Sequence, residues 1–225
     1  MNRSDCFIAG TDTEVGKTYA ACALIHALRS RGLAVAAMKP VAAGTDADGR
    51  NDDVERLRAA ASVDVPRDWM TPYLFAPPVA PHIAAAEAGQ RINLARIGRC
   101  YEEIARRADA VVVEGVGGFR VPLNEREDAG DLAAMLGLPV VLVVGLRLGC
   151  LNHALLTAEA IDRRGLRLAG WIGNAIDPSM ARPEANMDAL RARLAAPCLG
   201  LLPHDPAGDP QRASSWLNAS VTFDR

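Results

Sequence analysis

The chain has 225 residues, of which 50% are apolar and 23% are charged, so it can bury a sizeable core. Its 25 basic and 27 acidic residues give a formal net charge of −2. This balance disfavours nucleic acid as a partner, because such binding needs a clustered positive surface. The apolar stretches are shorter than the ~18 residues of a membrane span, and the first residues, MNRSDCFIAG, lead us to expect no secretory leader. The five cysteines are scattered without a CxxC pair, so we expect a cytoplasmic protein.

Short apolar runs alternate along the whole chain with longer helical patterns. The predicted strands are Cys6–Gly10, Ala34–Met38, Ala110–Glu114, Val140–Gly145, Leu168–Gly173 and Cys198–Leu202. The predicted helices are Lys17–Ser30, Val54–Ala61, Ala95–Arg107, Ala129–Leu136, Asn152–Arg164 and Pro183–Leu194. This alternation predicts an α/β fold with a doubly wound, mainly parallel sheet and helices on both faces. We expect one domain over residues 1–225, with Pro72–His82 as an irregular surface loop.

The segment GTDTEVGKT, residues 10–18, lies between the first predicted strand and the first predicted helix. Backbone N–H groups of such a loop can surround phosphates, while Lys17 reaches the terminal phosphates and the hydroxyl of Thr18 binds Mg²⁺. Thr11 stands where the usual G-x-x-x-x-G-K-[ST] pattern has its first glycine, and Gly10 lies one residue earlier. The strand before and the helix after favour a phosphate-binding loop. The alternative is a Gly-Lys turn that only begins a helix.

Lysine is unusually rare in this chain. Of the 25 basic residues, 23 are arginines, and Lys17 and Lys39 are the only lysines. We infer that both positions need a compact ammonium that a planar guanidinium cannot replace, although chance could also leave two lysines. Lys39 ends the second predicted strand, and ligands gather at the carboxyl ends of strands in such sheets. It is therefore predicted to point into a ligand crevice rather than into solvent.

Carboxylates near strand ends are the candidate metal ligands. Glu114 follows three valines and precedes Gly-Val-Gly-Gly, so it would be buried at a cost unless it faces a cation. Its alternative role is to hold the loop by hydrogen bonds. Asp52 could cap a helix and form a capping box with Glu55. Asp53 in the first turn would then suit the helix dipole without any metal, and the spacing leaves both readings of Asp53 open.

Five segments together resemble the dethiobiotin synthetase family, in matching order from residue 6 to about residue 205. They are GTDTEVGKT, KPVAAG, VEGVGGFRVPL, VVGLRLGCLNHALLTAEAI and LAGWIGN. The resemblance implies a homodimer of P-loop NTPase type that uses ATP and Mg²⁺. It also implies the reaction of 7,8-diaminopelargonate with CO₂, which gives the cyclic urea dethiobiotin together with ADP and phosphate.

The resemblance also assigns roles to residues. It implies that ATP is bound by Glu14, Val15, Gly16, Lys17, Thr18, Tyr19, Asp53, Glu114, Gly115, Val116, Gly117, Asn174, Pro203, His204 and Asp205, of which Asn174 reads the adenine. The metal ligands would be Thr18, Asp53 and Glu114. The catalytic groups would be Lys39, Lys17 and Thr13. The substrate would contact Lys39, and its carboxylate tail would lie at Gly149, Cys150 and Asn152 of the partner subunit, where a helix N-terminus favours an anion.

This chain departs from the family pattern at three places, one of which is the segment after Pro203, HDPAGDPQRASSW. Ala43 stands where KPVASG has a serine, and Ala175 follows Asn174 where an aspartate is usual. Two other classes of protein share such a loop. A switch ATPase of the partitioning or septum-placing kind usually has a second lysine early in the loop, and residues 11–15 contain none. An amide-forming synthetase related to the cobyrinate enzymes would need a glutaminase domain that 225 residues do not hold.

Overall fold

The computed structural model describes residues 3–205, 208–218 and 223. The strands are β1 (Cys6–Gly10), β2 (Val35–Met38), β3 (Val41–Ala43), β4 (Tyr73–Phe75), β5 (Ala110–Glu114), β6 (Val140–Gly145), β7 (Leu168–Asn174) and β8 (Cys198–Leu202). The helices are α1 (Lys17–Ser30), α2 (Asp52–Ala60), α3 (Arg67–Met70), α4 (Pro81–Glu87), α5 (Leu94–Ala105), α6 (Ala129–Leu136), α7 (Cys150–Asp162), α8 (Pro183–Arg193) and α9 (Pro210–Ala213). A 3₁₀ turn (Ser214–Trp216) follows α9.

Six strands form one sheet in the order β2-β5-β1-β6-β7-β8, and every pair in it is parallel. All six residues of β6 are buried. Because alternate side chains of a strand point to opposite faces, helices must cover both faces of this sheet. Apolar side chains from strands and helices join in one buried cluster. The expected α/β class with a parallel, doubly wound sheet is confirmed.

The sequence pattern predicted the main sheet closely. All six expected strands are present, four of them with the predicted ends, while β2 begins one residue later and β7 extends one residue further. Helices α1 and α6 also match, and the other predicted helices shift by one or two residues at their ends. Buried parallel strands are nearly continuous apolar runs, so their limits are visible in the sequence.

The interpretation of Pro72–His82 as an irregular loop is wrong in part. The segment contains β4, which pairs in parallel with β3 in a second, two-stranded sheet, and the first two residues of α4. Strands of three residues are too short to show a period. Pro81 occupies the first turn of α4, where a backbone N–H would have no partner within the helix, so its absence in proline costs nothing. The segment therefore has regular structure despite its four prolines.

The sheet places the candidate groups at one edge. The GTDTEVGKT loop follows β1, and Lys39 follows β2. Glu114 is the last residue of β5, and Asn174 is the last residue of β7. Parallel strands bring these ends together, as expected for a ligand site in an open α/β sheet. Across the described ranges, the helices are too short or too polar to qualify as a membrane-spanning segment.

Candidate active site

The GTDTEVGKT loop connects β1 to α1. Gly16 is the N-cap of α1 and has a left-handed backbone, with φ 81° and ψ 33°. In the described part of the chain, no side chain caps this helix, and no acidic residue lies in its first turn. The first N–H groups of the helix, together with its dipole, are therefore available to an anion. Glu14 also has a positive φ of 58°, which is uncommon for a residue other than glycine.

Lys17 is folded back over this loop. Its ammonium donates to the main-chain oxygen of Asp12 at 2.8 Å, and the residue is buried. Burial, followed by the like charge of Lys39, lowers the pKa of Lys17 to about 8. Lys17 therefore lies over the GTDTEVGKT loop, and its contact with phosphates stays a prediction. Asp12, whose main-chain oxygen holds this lysine, was not singled out in the sequence, because no local pattern indicates a contact of this kind.

Lys39 lies in the same place, immediately after β2. Its ammonium donates to Glu114 Oε1 and, at 3.1 Å, to Asp53 Oδ2. It also lies 3.3 Å from the carbonyl oxygen of Gly115. Burial alone would lower the pKa of Lys39, but the charges of Glu114 and Asp53 outweigh burial and raise it above its ordinary value. The alternative of a solvated surface lysine is wrong, since the side chain is only 4% exposed.

Thr18 joins the two carboxylates from the first turn of α1. Its hydroxyl lies 2.6 Å from Asp53 Oδ1 and 2.9 Å from Glu114 Oε1. Glu114 is fully buried, and within the described residues its other oxygen, Oε2, has no hydrogen-bond partner. Burial opposes ionisation of Asp53, but Lys39 and Thr18 hold the pKa of this carboxyl below its ordinary value. Two carboxylates and a hydroxyl thus converge beside the uncapped helix end.

The predicted capping box at Asp52 and Glu55 is wrong. Asn51 is the N-cap of α2, accepts a hydrogen bond from the N–H of Val54 at 3.2 Å, and donates one to the carbonyl of Gly44 at 2.7 Å. A side-chain amide can do both, whereas an ionised carboxylate only accepts. Asp52 is instead the first helical residue. The cap at Asn51 sets the direction of α2 and so places Asp53 against Thr18.

A cavity of about 660 Å³ opens over these groups, within the range of small-ligand sites. Of the residues expected from the sequence, it is lined by Thr13, Glu14, Gly16, Lys17, Thr18, Tyr19, Lys39, Asp53, Glu114, Val116 and Gly117. Its wall also contains residues that the sequence had not suggested: Ala42, Asn51, Arg56, Pro78, Val79, Ala80, Pro81 and Val121. Ala43, noted earlier as a departure from the family pattern, lines it as well. The two-stranded sheet and the start of α4 supply much of this apolar wall.

The remaining expected residues are not part of the cavity lining. Val15 is buried, and Asn174 donates to its carbonyl oxygen. Gly115 follows Glu114 at the end of β5. Pro203, His204 and Asp205 follow β8, where His204 Nδ1 lies 3.2 Å from the carbonyl oxygen of Ala175.

Gly149 and Cys150 begin α7, and Asn152 is exposed on its first turn. The loop before α7 contacts the phosphate loop directly. Arg147 donates to Asp12 Oδ2 at 2.5 Å, an ion pair between residues 135 positions apart that no local pattern could predict.

Comparisons with known proteins agree with this geometry. A family model described as an AAA domain matches residues 4–212. The ATP-dependent dethiobiotin synthetase of Aromatoleum aromaticum is 56% identical over 94% of this chain and 95% of its own. The protein of the same name from Ralstonia nicotianae is 55% identical over 99% of each chain. That of Janthinobacterium sp. is 52% identical over 96% of this chain and 94% of its own.

Solved structures similar to this chain share its fold. A ParA-family ATPase from Chlorobium tepidum has a TM-score of 0.58 at 15% identity, covering 97% of this chain and 92% of its own. The septum site-determining protein MinD from Pyrococcus horikoshii, solved with Mg-ADP, has a TM-score of 0.56 at 17% identity, covering 97% and 88%. At such identities the likeness concerns the fold alone.

The parallel sheet and the uncapped loop between β1 and α1 define a P-loop NTPase fold. Within this class, the curated relatives decide the family, because they match more than half of the positions along nearly the whole chain. The chain belongs to the dethiobiotin synthetase family and is an enzyme. The resemblance noted in the sequence is confirmed, and the switch ATPases resemble this chain only in fold.

Proposed function

We propose that this enzyme carboxylates 7,8-diaminopelargonate with CO₂ and closes the cyclic urea of dethiobiotin, converting ATP to ADP and phosphate in biotin biosynthesis. One observation carries the proposal. The two lysines of the chain, Lys17 and Lys39, meet at the uncapped N-terminus of α1 beside Asp53 and Glu114. Such a cluster suits a reaction in which negative charge builds on a transferring phosphoryl group.

ATP would lie with its phosphates against the loop. The uncapped first N–H groups of α1 would surround the phosphates, and the ammonium of Lys17, which is held over the same loop, would contact the terminal phosphates. Its pKa of about 8 leaves it mostly protonated at neutral pH, and phosphate oxygens favour the charged form further. Asn174 and the segment from Pro203 to Asp205 lie beyond the loop, where the resemblance places the adenine.

Magnesium fits the donor set beside this loop. Thr18 Oγ1, Asp53 Oδ1 and the partnerless Glu114 Oε2 are oxygen donors of the kind that Mg²⁺ prefers. Among the described residues no cluster of three His, Cys, Asp or Glu side chains forms a self-sufficient metal site. That agrees with the way Mg²⁺ is bound in NTPases, through one or two side chains, phosphates and water. When bound, the ion would neutralise charge on the phosphates.

The reaction that we propose proceeds in three steps. An amine of the substrate attacks CO₂ and loses a proton, which gives a carbamate. A carbamate oxygen then attacks the γ-phosphorus of ATP, and the bond to the ADP oxygen breaks. The second amine attacks the carbonyl carbon of this mixed anhydride, expels phosphate and loses a proton as the ring closes.

The residues of this chain would hold and orient the reacting groups. Lys39 would neutralise the carbamate and the transferring phosphoryl group, and Lys17 would neutralise charge on the phosphates of ATP. Thr13 lines the same cavity, and its backbone N–H is held by Asp12 Oδ1 at 2.8 Å. Fixed positions of this kind lower the barrier because little reorganisation is needed when the charge develops.

We also propose a homodimer with the substrate site at the subunit interface. Helix α7 buries only Cys150, Ala154 and Ile161. Just before it Leu148 is 95% exposed, and Leu156 on its outer face is 57% exposed. Exposed leucines of this kind suit a protein interface. The start of α7, with Gly149, Cys150 and Asn152, would then offer its N–H groups to the carboxylate tail of a substrate bound to the partner.

The dimer can be tested by light scattering coupled to size-exclusion chromatography. Leu156→Glu should yield monomers and lose most dethiobiotin formation. Met135→Glu changes an equally apolar residue that is 44% exposed on α6, and it should remain dimeric. A wild-type protein that is monomeric at micromolar concentration would contradict the proposed interface.

The reaction itself is tested by measuring phosphate release with and without diaminopelargonate, in bicarbonate-containing buffer with MgATP, and by detecting dethiobiotin with mass spectrometry. We expect phosphate and dethiobiotin to appear in equal amounts, and only when the diamine is present. Substrate-independent phosphate release would instead indicate a switch ATPase.

We further propose that the enzyme acts as a single domain in the cytoplasm, where its five free thiols would stay reduced.

A further inference from the structure

Asn174 closes β7 and is in contact with the phosphate loop. Its Nδ2 donates to the carbonyl oxygen of Val15 at 3.0 Å, and this hydrogen bond is buried. The amide also lies against Gly16, since a Cβ at Gly16 would come within 2.1 Å of Nδ2. Asn174 therefore packs directly on the peptide unit that joins Val15 to Gly16, 159 positions away from Val15 in sequence.

The position of Asn174 is itself fixed by the sheet. Its main-chain carbonyl accepts hydrogen bonds from Leu146 at 2.8 Å and from Ile176 at 2.9 Å. The residue pairs with Gly145 of β6 and with Leu202 of β8. The side chain thus projects from a rigid strand end, which is the kind of support that holds a functional loop accurately.

Val15 is held from a second direction as well. Its side chain is 1% exposed and packs on the end of β6, where a Cβ at Gly145 would lie 2.9 Å from Val15 Cγ1. The apolar contact at Gly145 and the hydrogen bond from Asn174 together fix both the side chain and the carbonyl of Val15. The carbonyl then cannot rotate without leaving a buried polar group unpaired.

The orientation of this carbonyl determines what the next N–H group does. The described peptide bonds are trans, and the C=O and N–H of a trans peptide point in opposite directions. Anchoring the Val15 oxygen on Asn174 therefore turns the N–H of Gly16 away from Asn174. Gly16 lines the cavity, and its φ of 81° suits this arrangement.

We propose that Asn174 is a positioning residue for the triphosphate: through the Val15 carbonyl it holds the Gly16 N–H in its phosphate-binding orientation. A primary amide has a second N–H and an oxygen, so the same side chain can also contact the base. The inference rests on the proposed function only in taking this loop as the site of the triphosphate. The proposal predicts that Asn174 also affects the binding affinity of polyphosphates that carry no nucleotide base.

The test compares ATP with inorganic tripolyphosphate, each with Mg²⁺, by isothermal titration calorimetry on the wild type, Asn174→Ala and Asn174→Leu. Leucine keeps the volume but removes the donor. We expect both variants to bind tripolyphosphate about tenfold more weakly, the scale of losing one hydrogen bond to a buried carbonyl. ATP should weaken at least as much. Unchanged tripolyphosphate affinity with weakened ATP binding would show that Asn174 serves the base alone and would overturn the proposal.

A matched control separates this effect from a loss of stability. Asn93→Ala removes the side-chain cap of α5, which accepts from Arg96, and it should lower the unfolding midpoint without changing either affinity. If Asn174→Ala proves too unstable, the Leu variant alone decides the question. A wild type that binds MgATP but no tripolyphosphate would also overturn the role of Asn174. The diamine-dependent phosphate release described above can fail or succeed independently of these binding results.

Discussion

Lys39 and Glu114 form a buried ion pair at the ends of two neighbouring strands. Met38 of β2 lies opposite Val113 of β5, so the next residue of each strand reaches the same level at the edge of the sheet. Glu114 is fully buried and the Lys39 side chain is 4% exposed. Neither charge is tolerable there without the other or a substitute, because an unpaired buried charge costs several kcal/mol.

We expect a strong energetic coupling between these two residues. Lys39→Met or Glu114→Gln alone should lower the free energy of unfolding by about 3 kcal/mol, since each leaves one polar or charged group without its partner. The double variant should be more stable than the sum of the two losses implies. Urea unfolding of the wild type, the two single variants and the double variant gives this coupling energy as a double-mutant cycle. Additive losses would show that the pair is not coupled in solution.

The chemical identity of Lys39 can be tested by conservative replacement. Lys39→Ala should lower the rate of dethiobiotin formation about a hundredfold or more, the usual effect of removing one charge that stabilises a transition state. Lys39→Arg should also lose most activity, because a planar guanidinium does not fit between Asp53, Glu114 and Gly115 as the ammonium does. Circular dichroism checks that both variants fold. Near-normal turnover of Lys39→Arg would contradict the inference that this position needs a compact ammonium.

Much of this arrangement could be predicted from the sequence because local pattern and tertiary position coincide. The apolar strands end where the sheet ends, so Lys39 and Glu114 could be placed at one edge from strand limits alone. The cavity wall at Pro78–Pro81 could not be predicted, because it depends on the pairing of two three-residue strands. The contacts of Asp12 with Arg147 and of Asn174 with Val15 join distant segments, and no local pattern reports them.

The buried thiol of Cys22 makes the stability of the protein sensitive to alkaline pH. Burial, with a contribution from the charge of Glu114, raises the pKa of Cys22 from 9.0 to about 12. Above pH 9 the unfolded chain releases this proton while the folded chain keeps it. The contribution of this thiol to the free energy of unfolding is therefore fully present below pH 9. It falls by about 1.4 kcal/mol per pH unit as the pH rises towards 12. Urea unfolding of Cys22→Ala at pH 8 and pH 10 should show a smaller loss than the wild type, whereas parallel losses would contradict the prediction.

Two adjacent aspartates at the start of α2 offer a test of the proposed metal site. The side chain of Asp53 bonds Thr18 and Lys39, whereas that of Asp52 is 83% exposed and lies 3.6 Å from Arg56. Asp53→Asn should weaken Mn²⁺ binding in the presence of ADP by about tenfold, because it removes one of two carboxylates beside the phosphate loop. Asp52→Asn removes the same charge one residue earlier, and an exposed ion pair contributes little. Electron paramagnetic resonance of free Mn²⁺ measures both affinities. Equal weakening by the two substitutions would mean that Asp53 acts only through the overall charge of the helix start and is not a ligand.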